Sequence, residues 1–445
     1  MKKNLILILF FGSLSVYAQT PLSLGDAISL GLQRNYGILI EDKNVEIAEN
    51  NNNWGQAGRW PTLTLNINQN NGVTDNVKVA NPFSLQGPIS SNSVTPAVNL
   101  SWVLFDGFSV KMTKRRLDQL QAETEGNASI VIANTIQSII LGYYVAVLEN
   151  QRLKEFEKQL LLSRDKYDYI KVKNELGSAV TTDLLLEEGN YLTDSINFIN
   201  QELAYRNAIR NLNVLFAESD MAKEYTLLDS MEIPLETYEY QDLRNRMIRE
   251  NVDIQKQYIT QSLLGTATKL AESDKYPTVT FNTGFSENRG RSNLSNTNRG
   301  ADFPDPLSSV TDSYFANFTV SFTLFNGGKI NRSIRNALVS EDIGQLRIDQ
   351  MENSLDRDLM SAIDRYNIRR QLYEINNRRE AVAKINLQLS KSKFDNGSIN
   401  SFDYREVQNN YLSASILKLQ SVYNLIDSKI ELMRLTGGLI QEYNN

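Results

Sequence analysis

Side chains that could carry acid–base or nucleophilic chemistry are scarce in this sequence of 445 residues. It contains no histidine and no cysteine, which excludes histidine-based catalysis, histidine metal ligation and the Ser-His and Cys-His nucleophiles. It also has no phosphate-binding P-loop, no Gly-x-Gly-x-x-Gly fingerprint and no Gly-x-Ser-x-Gly elbow. Carboxylates are plentiful, but on long helices most of them form solvated faces. The sequence therefore predicts no enzyme, no metal site and no cofactor.

The N-terminus has the pattern of an export signal. Lys2 and Lys3 precede a brief apolar run at residues 5–11, and residues 16–18 supply small side chains where a signal peptidase reads the chain. We predict that residues 1–18 are a signal peptide. Since there is no cysteine, no lipid can be attached to an N-terminal Cys, and no disulfide can form.

The charge balance is acidic. The chain has 46 Lys and Arg against 52 Asp and Glu, and removing Lys2 and Lys3 leaves 44 against 52, a mature net charge of −8. Nucleic-acid binding needs a basic face, so this class of partner is disfavoured. We find no apolar run of membrane-helix length beyond residue 18, and we therefore expect any membrane contact to be made by strands.

The sequence contains an internal repeat. The register between the two copies changes from 216 to 220 residues between positions 66 and 104, which predicts an exposed loop in that stretch. We divide the mature chain into repeats at 19–230 and 231–445. The matching motifs are Trp60-Pro61-Thr62-Leu63 with Tyr276-Pro277-Thr278-Val279, Leu104-Phe105-Asp106-Gly107 with Leu324-Phe325-Asn326-Gly327, and Gly177-Ser178 with Gly397-Ser398.

Each repeat begins with the same predicted elements. A first helix covers roughly Leu22–Gly58 in one copy and Leu243–Ser273 in the other. Two strands follow, each with apolar and polar residues in alternation. Polar stretches at 69–94 and 285–312 separate the strands and are predicted loops.

Long helices complete each repeat. From about Ser109 to Lys173 there is no proline, and apolar residues fall at the heptad spacing of coiled-coil packing at Ile132, Ile136, Ile139, Tyr143 and Ala146. About 65 residues give a helix of roughly 100 Å. Gly177 and Gly397 are expected to end these helices and to reverse the chain. The fold class is thus mainly α with a small β part, with long coiled-coil-like helical hairpins and four strands per chain.

The four strands are the predicted membrane element. Such alternation is also usual in a soluble sandwich, but here the polar face carries Asn, Thr and Ser, which suit a wet lumen, and the other face is apolar. The smallest spanning barrels have about eight strands, and open edges are not tolerated in lipid. Several chains must therefore contribute to one barrel.

These features together resemble the outer-membrane efflux (TolC-like) family over essentially the whole mature chain. The most telling matches are the Leu-Phe-Asp/Asn-Gly strand exits and the Gly-Ser tips that are followed by Asp183 and Asp403. The resemblance implies a homotrimer with a twelve-stranded transmembrane barrel in the outer membrane and an α-helical tunnel in the periplasm. It also implies an exit duct for an efflux or type I secretion system, with a periplasmic adaptor and an inner-membrane transporter as partners.

The resemblance also implies roles for residues at the hairpin tips. The family's tips contact the adaptor, and here they carry Gly177, Ser178, Gly397 and Ser398. By position, Asp403 and Glu406 resemble the carboxylates that ring the periplasmic constriction. Asp183 matches a residue that takes part in the hydrogen bonds across the family's closed tip, which we call the lock. Ordinary helix capping is the competing interpretation of Asp183 and Asp403, since a carboxylate in a first turn complements the helix dipole.

The family's lock differs in this sequence. Phe394 and Ile399 stand where the best-known form has a Tyr and an Arg, and neither side chain can make those hydrogen bonds. Arg405 is the nearest candidate, by its place in the sequence, for a substitute partner of Asp183. We therefore expect a gate at this position with different bonds.

Two further alternatives follow from the residues. The aromatic side chains near the strand ends could form an interfacial belt or could pack where strand meets helix; they are Trp60, Trp102, Tyr276 and Phe322.

The whole chain could also be a secreted or surface trimeric coiled-coil structural or adhesive protein whose strands form a soluble cap. The sequence does not identify the cargo.

Overall fold

The computed structural model describes residues 20–77, 87–232, 234–294, 297 and 306–443, so the predicted signal peptide lies outside the described residues. The chain forms two compact units. The helical unit comprises residues up to 43, 126–255 and 350 onward, and the strand unit comprises 44–125 and 256–349. Each unit takes segments from both predicted repeats, and the division of the chain at 230/231 stays a prediction.

The elements follow one another in an order that occurs twice. Each half has two shorter helices, two long strands, a helix of 67 residues and a helix of 35 residues. In chain order the elements are β1 (Thr20–Leu22), α1 (Leu24–Arg34), α2 (Tyr36–Asn51), β2 (Thr62–Asn76), β3 (Gly87–Asp106), α3 (Ser109–Glu175), α4 (Thr181–Leu215), β4 (Tyr225–Leu227), α5 (Tyr240–Glu250), α6 (Val252–Ser273), β5 (Thr278–Asn293), β6 (Leu307–Ser321), α7 (Lys329–Asp395), α8 (Ser401–Leu435) and α9 (Gly438–Tyr443).

The first predicted helix of each repeat is in fact two helices, and an asparagine stands at each break. Asn35 Oδ1 accepts a hydrogen bond from the Gly37 N–H at 2.9 Å, and its Nδ2 donates to the Leu215 carbonyl at 2.9 Å. Asn251 does the same, with its Nδ2 donating to the Leu435 carbonyl at 3.0 Å. The prediction of one continuous helix was wrong because an asparagine amide competes with the helical hydrogen bonds when a distant carbonyl accepts its N–H.

The core of the helical unit is built on α3. Ile136, Ile139 and Tyr143, which occupy the predicted heptad positions, are fully buried there. Among the described helices, only α3 contains a window long and apolar enough to cross a membrane, and 39% of that window is buried. The expectation that no such run exists was therefore wrong. Because less than half of the window is buried, packing in the core accounts for only part of its apolar surface.

A short parallel pair of strands was not predicted. β1 pairs with β4, with Thr20 opposite Tyr225 and Leu22 opposite Leu227. The Tyr143 hydroxyl lies 2.7 Å from Asp229 Oδ2, which also accepts the Leu24 N–H at 2.7 Å. Three-residue strands show no periodicity, so only the distant partner reveals them.

The strand unit contains one antiparallel sheet in the order β2-β3-β5-β6. The strands extend far into the stretches 69–94 and 285–312 that were predicted to be loops, so those boundaries were wrong; residues 78–86 lie outside the described part. Strand pairing continues through these stretches because the backbone N–H and carbonyl groups of Asn and Ser form the same hydrogen bonds between strands as those of apolar residues. Asn71, for example, pairs with Asn92. The alternation of apolar and polar residues predicts that the fourth strand continues to Leu324, but it ends at Ser321, so that Phe322 and Leu324 follow it.

Candidate functional site

The two long hairpins turn at equivalent glycines. Gly177 and Gly397 both have φ +72°, a left-handed conformation that glycine adopts without strain. The N–H groups of Ser178 and Ser398 donate to the carbonyls of Lys173 and Lys393, each at 2.7 Å. The predicted tip residues therefore lie at the helix reversals.

The predicted gate carboxylates lie near these turns and are exposed in this chain. Asp183 is in the first turn of α4 and Asp403 in the first turn of α8, where each complements the helix dipole. The capping bond itself comes from Asn400, whose Oδ1 accepts the Asp403 N–H at 2.8 Å. Glu406 is also exposed. The structure thus places these carboxylates on accessible surface, and a gate role stays a prediction.

A buried ion pair close to the tips was not predicted. Lys166 on α3 and Glu187 on α4 are 5% and 1% exposed, and Lys166 Nζ lies 3.1 Å from Glu187 Oε1. Lys166 also donates to the Ser401 carbonyl of α8 at 2.9 Å, and the Ser401 hydroxyl donates to Glu187. Burial lowers the pKa of Lys166, Glu187 opposes this effect, and the nearby charge of Arg405 adds to it. These bonds join both helices of the first hairpin to the start of α8.

A second buried pair lies further along the same helices. Arg405 of α8 donates to both carboxylate oxygens of Asp194 on α4, at 2.6 and 2.8 Å. Their side chains are 13% and 3% exposed. Gln159 of α3 donates to the same carboxylate at 3.3 Å. Arg405 is therefore the partner of Asp194 and not of Asp183, which corrects the predicted substitute for the family's lock.

The aromatic side chains at the tip pack on the buried lysine. Phe394 and Tyr404 stack with ring centroids 4.9 Å apart, and Lys166 Nζ lies 5.1 Å from the Phe394 centroid. Burial raises the pKa of Tyr404. Phe394, which cannot form the family's hydrogen bond, contributes instead to an aromatic and cation–π contact inside the chain.

A comparison of the two repeats indicates the residues of both buried ion pairs. At the offset of 220 residues, Arg405 aligns with Leu185, Asp194 with Ala414, Glu187 with Val407 and Lys166 with Asn386. Each charged residue thus stands where the other copy has an uncharged one. Positions at which only one repeat carries a charge could therefore have identified charged side chains that form a buried ion pair.

The aromatic residues near the strand ends are exposed in the strand unit. Trp60, Trp102, Tyr276 and Phe322 are between 37% and 60% exposed. The Trp102 indole N–H donates to the Arg59 carbonyl at 2.9 Å, and Tyr276 meets Phe108 edge to face. These rings make contacts and also present apolar surface, so the belt and the packing interpretations both stay predictions.

Known proteins are similar to this chain in part of its sequence and in its fold. The model of the family described as "Outer membrane efflux protein" matches residues 243–438, and no curated protein matches the chain. The fold is similar to that of CusC, with a TM-score of 0.73 and 14% identity over 94% of this chain and 93% of that one. It is also similar to the Campylobacter jejuni CmeC outer membrane channel, with a TM-score of 0.72 and 16% identity over 98% and 94%. A third similar structure is the open state of the Neisseria gonorrhoeae MtrE outer membrane channel, with a TM-score of 0.68 and 14% identity over 94% and 89%.

Proposed function

We propose that the chain, whose residues 243–438 match the model of the outer membrane efflux protein family, is a member of that family and the outer-membrane exit channel of a tripartite efflux system. It is a passive conduit and not an enzyme. The structures that it resembles in fold include proteins described as outer membrane channels. Driving energy would come from an inner-membrane transporter that acts through a periplasmic adaptor. A type I secretion system is the other assembly in which the same conduit would serve.

One observation carries the proposal most strongly: the sheet is open on both sides. Within the described residues, the outer edges of β2 and β6 have no partner strand. Unpaired strand edges cannot stay in lipid, and four strands are too few for a barrel. Copies of the chain would therefore join edge to edge, and three copies would make the twelve-stranded barrel of a homotrimer.

The surface of the helical unit also supports assembly. Leu192, Ile196, Ile199 and Leu203 form a heptad stripe on α4, and each is more than half exposed. Their counterparts in α8 at the offset of 220 residues are partly buried within the chain. A stripe of this length and spacing is typical of a helix that packs on another helix. In the trimer it would pack against a neighbouring copy.

The periplasmic adaptor would contact the hairpin tips. Gly177, Ser178, Gly397 and Ser398 are exposed, and a cavity of about 380 Å³ between the hairpins lies beside them. Its lining is half apolar and includes Tyr169, Phe394 and Tyr404. Concave surfaces with aromatic walls are common sites for a partner's anchor side chains.

Purified protein should test the channel directly. We expect it to require detergent, to fractionate with the outer membrane and to conduct ions in a planar bilayer. The alternative, a secreted coiled-coil structural protein, predicts a trimer that stays soluble without detergent and gives no conductance. Observation of such a soluble, non-conducting trimer would refute the channel.

The exposed tip carboxylates should select for cations. We expect Asp403→Ala with Glu406→Ala to weaken block by divalent cations on the order of tenfold, because three copies of each carboxylate would lose their attraction for these ions. Relief of that block should raise the single-channel conductance when divalent cations are present. A matched control, Asp364→Ala with Glu374→Ala, removes the same charge from exposed positions on α7. If both double variants conduct like the wild type, the tip carboxylates serve only the helix dipole.

A further inference from the structure

An aromatic cavity in the strand unit has no role in the function proposed above. It has a volume of about 370 Å³, lies where β3 passes into α3, and is lined mainly by Trp54, Arg59, Trp102, Phe105, Phe108 and Lys111. Most of its exposed lining is apolar. The one carboxylate in the wall is Asp106, whose Oδ2 already accepts the Val110 N–H at 2.9 Å.

The cations at this cavity have no carboxylate partners within the described residues. The Arg59 guanidinium lies over the rings of Trp54 and Trp60, at 4.9 and 5.5 Å from their centroids. Lys111 is exposed. By contrast, Lys114 forms an ion pair with Asp118 and donates to Asn52 at 2.8 Å. Arg59 and Lys111 are therefore free to meet an anion, in a chain whose net charge is −6.

Phe108, one of the aromatic residues that line the cavity, has a strained backbone conformation. Its φ is +70°, a left-handed conformation that costs a phenylalanine about 1–2 kcal/mol. Nevertheless Phe108 is 58% exposed. The second repeat has Gly328 at the equivalent position, which avoids the strain. A strained residue that presents an apolar ring to the outside commonly marks a binding surface.

The second repeat keeps a cation at the position of Arg59, which aligns with Lys275, but it lacks two other parts of the site. At the corresponding offsets, Leu270 replaces Trp54 and Asn331 replaces Lys111. The pairing of tryptophan with free cations therefore occurs at one of the two strand-to-helix junctions. This asymmetry provides a matched comparison inside the same molecule.

We propose that this cavity binds the head group of an anionic phospholipid, with Arg59 and Lys111 contacting the phosphate and the aromatic wall contacting the glycerol and the first acyl carbons. The inference rests on the proposed membrane channel, because it needs this junction at a bilayer surface. Basic side chains next to a ring of aromatic residues are the usual combination at such a boundary. Charge complementarity favours a lipid of net negative charge over a zwitterionic one.

The tryptophans make the site observable. The chain has only three, Trp54, Trp60 and Trp102, and all three lie at or next to the cavity. Reconstitution into vesicles of phosphatidylcholine that contain brominated phosphatidylglycerol, or brominated phosphatidylcholine at the same mole fraction, would report lipid contact as fluorescence quenching. The relative affinity of the two brominated lipids follows from these curves. We expect a preference for phosphatidylglycerol on the order of tenfold, since each surface cation contributes roughly fivefold.

The variants then assign the preference to named residues. Arg59→Gln with Lys111→Gln should bring the lipid preference close to one. The control Lys275→Gln with Arg335→Gln, which removes two exposed cations at the second junction, should keep it. Because the preference is a ratio within each variant, a change in tryptophan yield caused by the loss of Arg59 cancels.

Three results would overturn the inference. The first is equal quenching of the wild type by the two brominated lipids, and the second is an unchanged preference in Arg59→Gln with Lys111→Gln. The third is loss of the preference when inorganic phosphate is added at the concentration of the lipid, which would indicate a site for small anions. Equal quenching would leave the channel proposal intact, whereas no quenching by either lipid, together with no bilayer conductance, would remove both.

Discussion

Replacing Arg405 by alanine is expected to open the hairpin tips and to raise the single-channel conductance. The substitution leaves the Asp194 carboxylate, which is 3% exposed, without the bidentate partner that neutralises it. Breaking a buried pair by removing one member typically costs about 3–5 kcal/mol. Helices α4 and α8 would separate locally, so that water reaches Asp194. Bilayer recordings and the temperature at which the proposed trimer dissociates in SDS would measure both effects.

Two further variants distinguish this mechanism from general damage to the tip. Lys391→Ala removes a cation of the same region whose ion pair with Asp395 is more than half exposed, and such pairs contribute only about 0–1 kcal/mol. Arg405→Leu with Asp194→Ala installs the residue types that the other repeat has at these positions. Uncharged replacement of a buried pair is often neutral, so this double variant should recover the closed, low-conductance tip. Arg405→Ala with unchanged conductance and unchanged heat resistance would show that the pair does not hold the tip.

Gly107→Ala is expected to cause a severe loss of the proposed trimer, whereas the equivalent change Gly327→Ala should have a mild effect. Both glycines end the Leu-Phe-Asp/Asn-Gly motif with φ near +65° to +68°, so both variants suffer about 1–2 kcal/mol of left-handed strain. Only at Gly107 would the new Cβ overlap the Ser273 carbonyl oxygen and stand 2.8 Å from Tyr276 Cβ. Gly327 has no atom within 4 Å of that position.

The additional overlap at Gly107 is with backbone, which cannot move aside as a flexible side chain can, and overpacking of this kind costs about 1–3 kcal/mol more. The yield of SDS-resistant trimer and its dissociation temperature would compare the two variants. Equal losses for both would mean that strain alone matters and that the packing of β3 against the residues before β5 does not. Heat-resistant Gly107→Ala trimers at wild-type yield would contradict the predicted overlap.

The hairpin tips show how far residue-by-residue transfer from a family can go. The sequence correctly indicated that the usual Tyr and Arg are absent, and it placed the tips at Gly177 and Gly397. It paired Arg405 with the wrong aspartate, because Asp183 was chosen by its place in a motif. The actual partner, Asp194, is 211 residues away in the sequence and was hidden in an otherwise ordinary helix.

The local sequence pattern was sufficient to predict those elements whose backbone conformation depends only on residues near one another in the chain. The long helices follow from heptad spacing without proline, and their ends follow from glycines that alone adopt a left-handed turn at low cost. The predicted start of α3 at Ser109 and its end near Lys173 agree with Ser109–Glu175. The alternation of apolar and polar residues likewise indicated four strands.

Only the tertiary structure decided the features that depend on a distant partner. The breaks at Asn35 and Asn251 need carbonyls from the ends of α4 and α8, and the extra strand length needs the ladder across the sheet. The buried pairs of Lys166 and Arg405 exist because three helices meet there and exclude water. The type of a charged residue does not tell whether its side chain is solvated or buried. Its partner, and its contribution to the free energy of folding, depend on the groups that the fold places beside it.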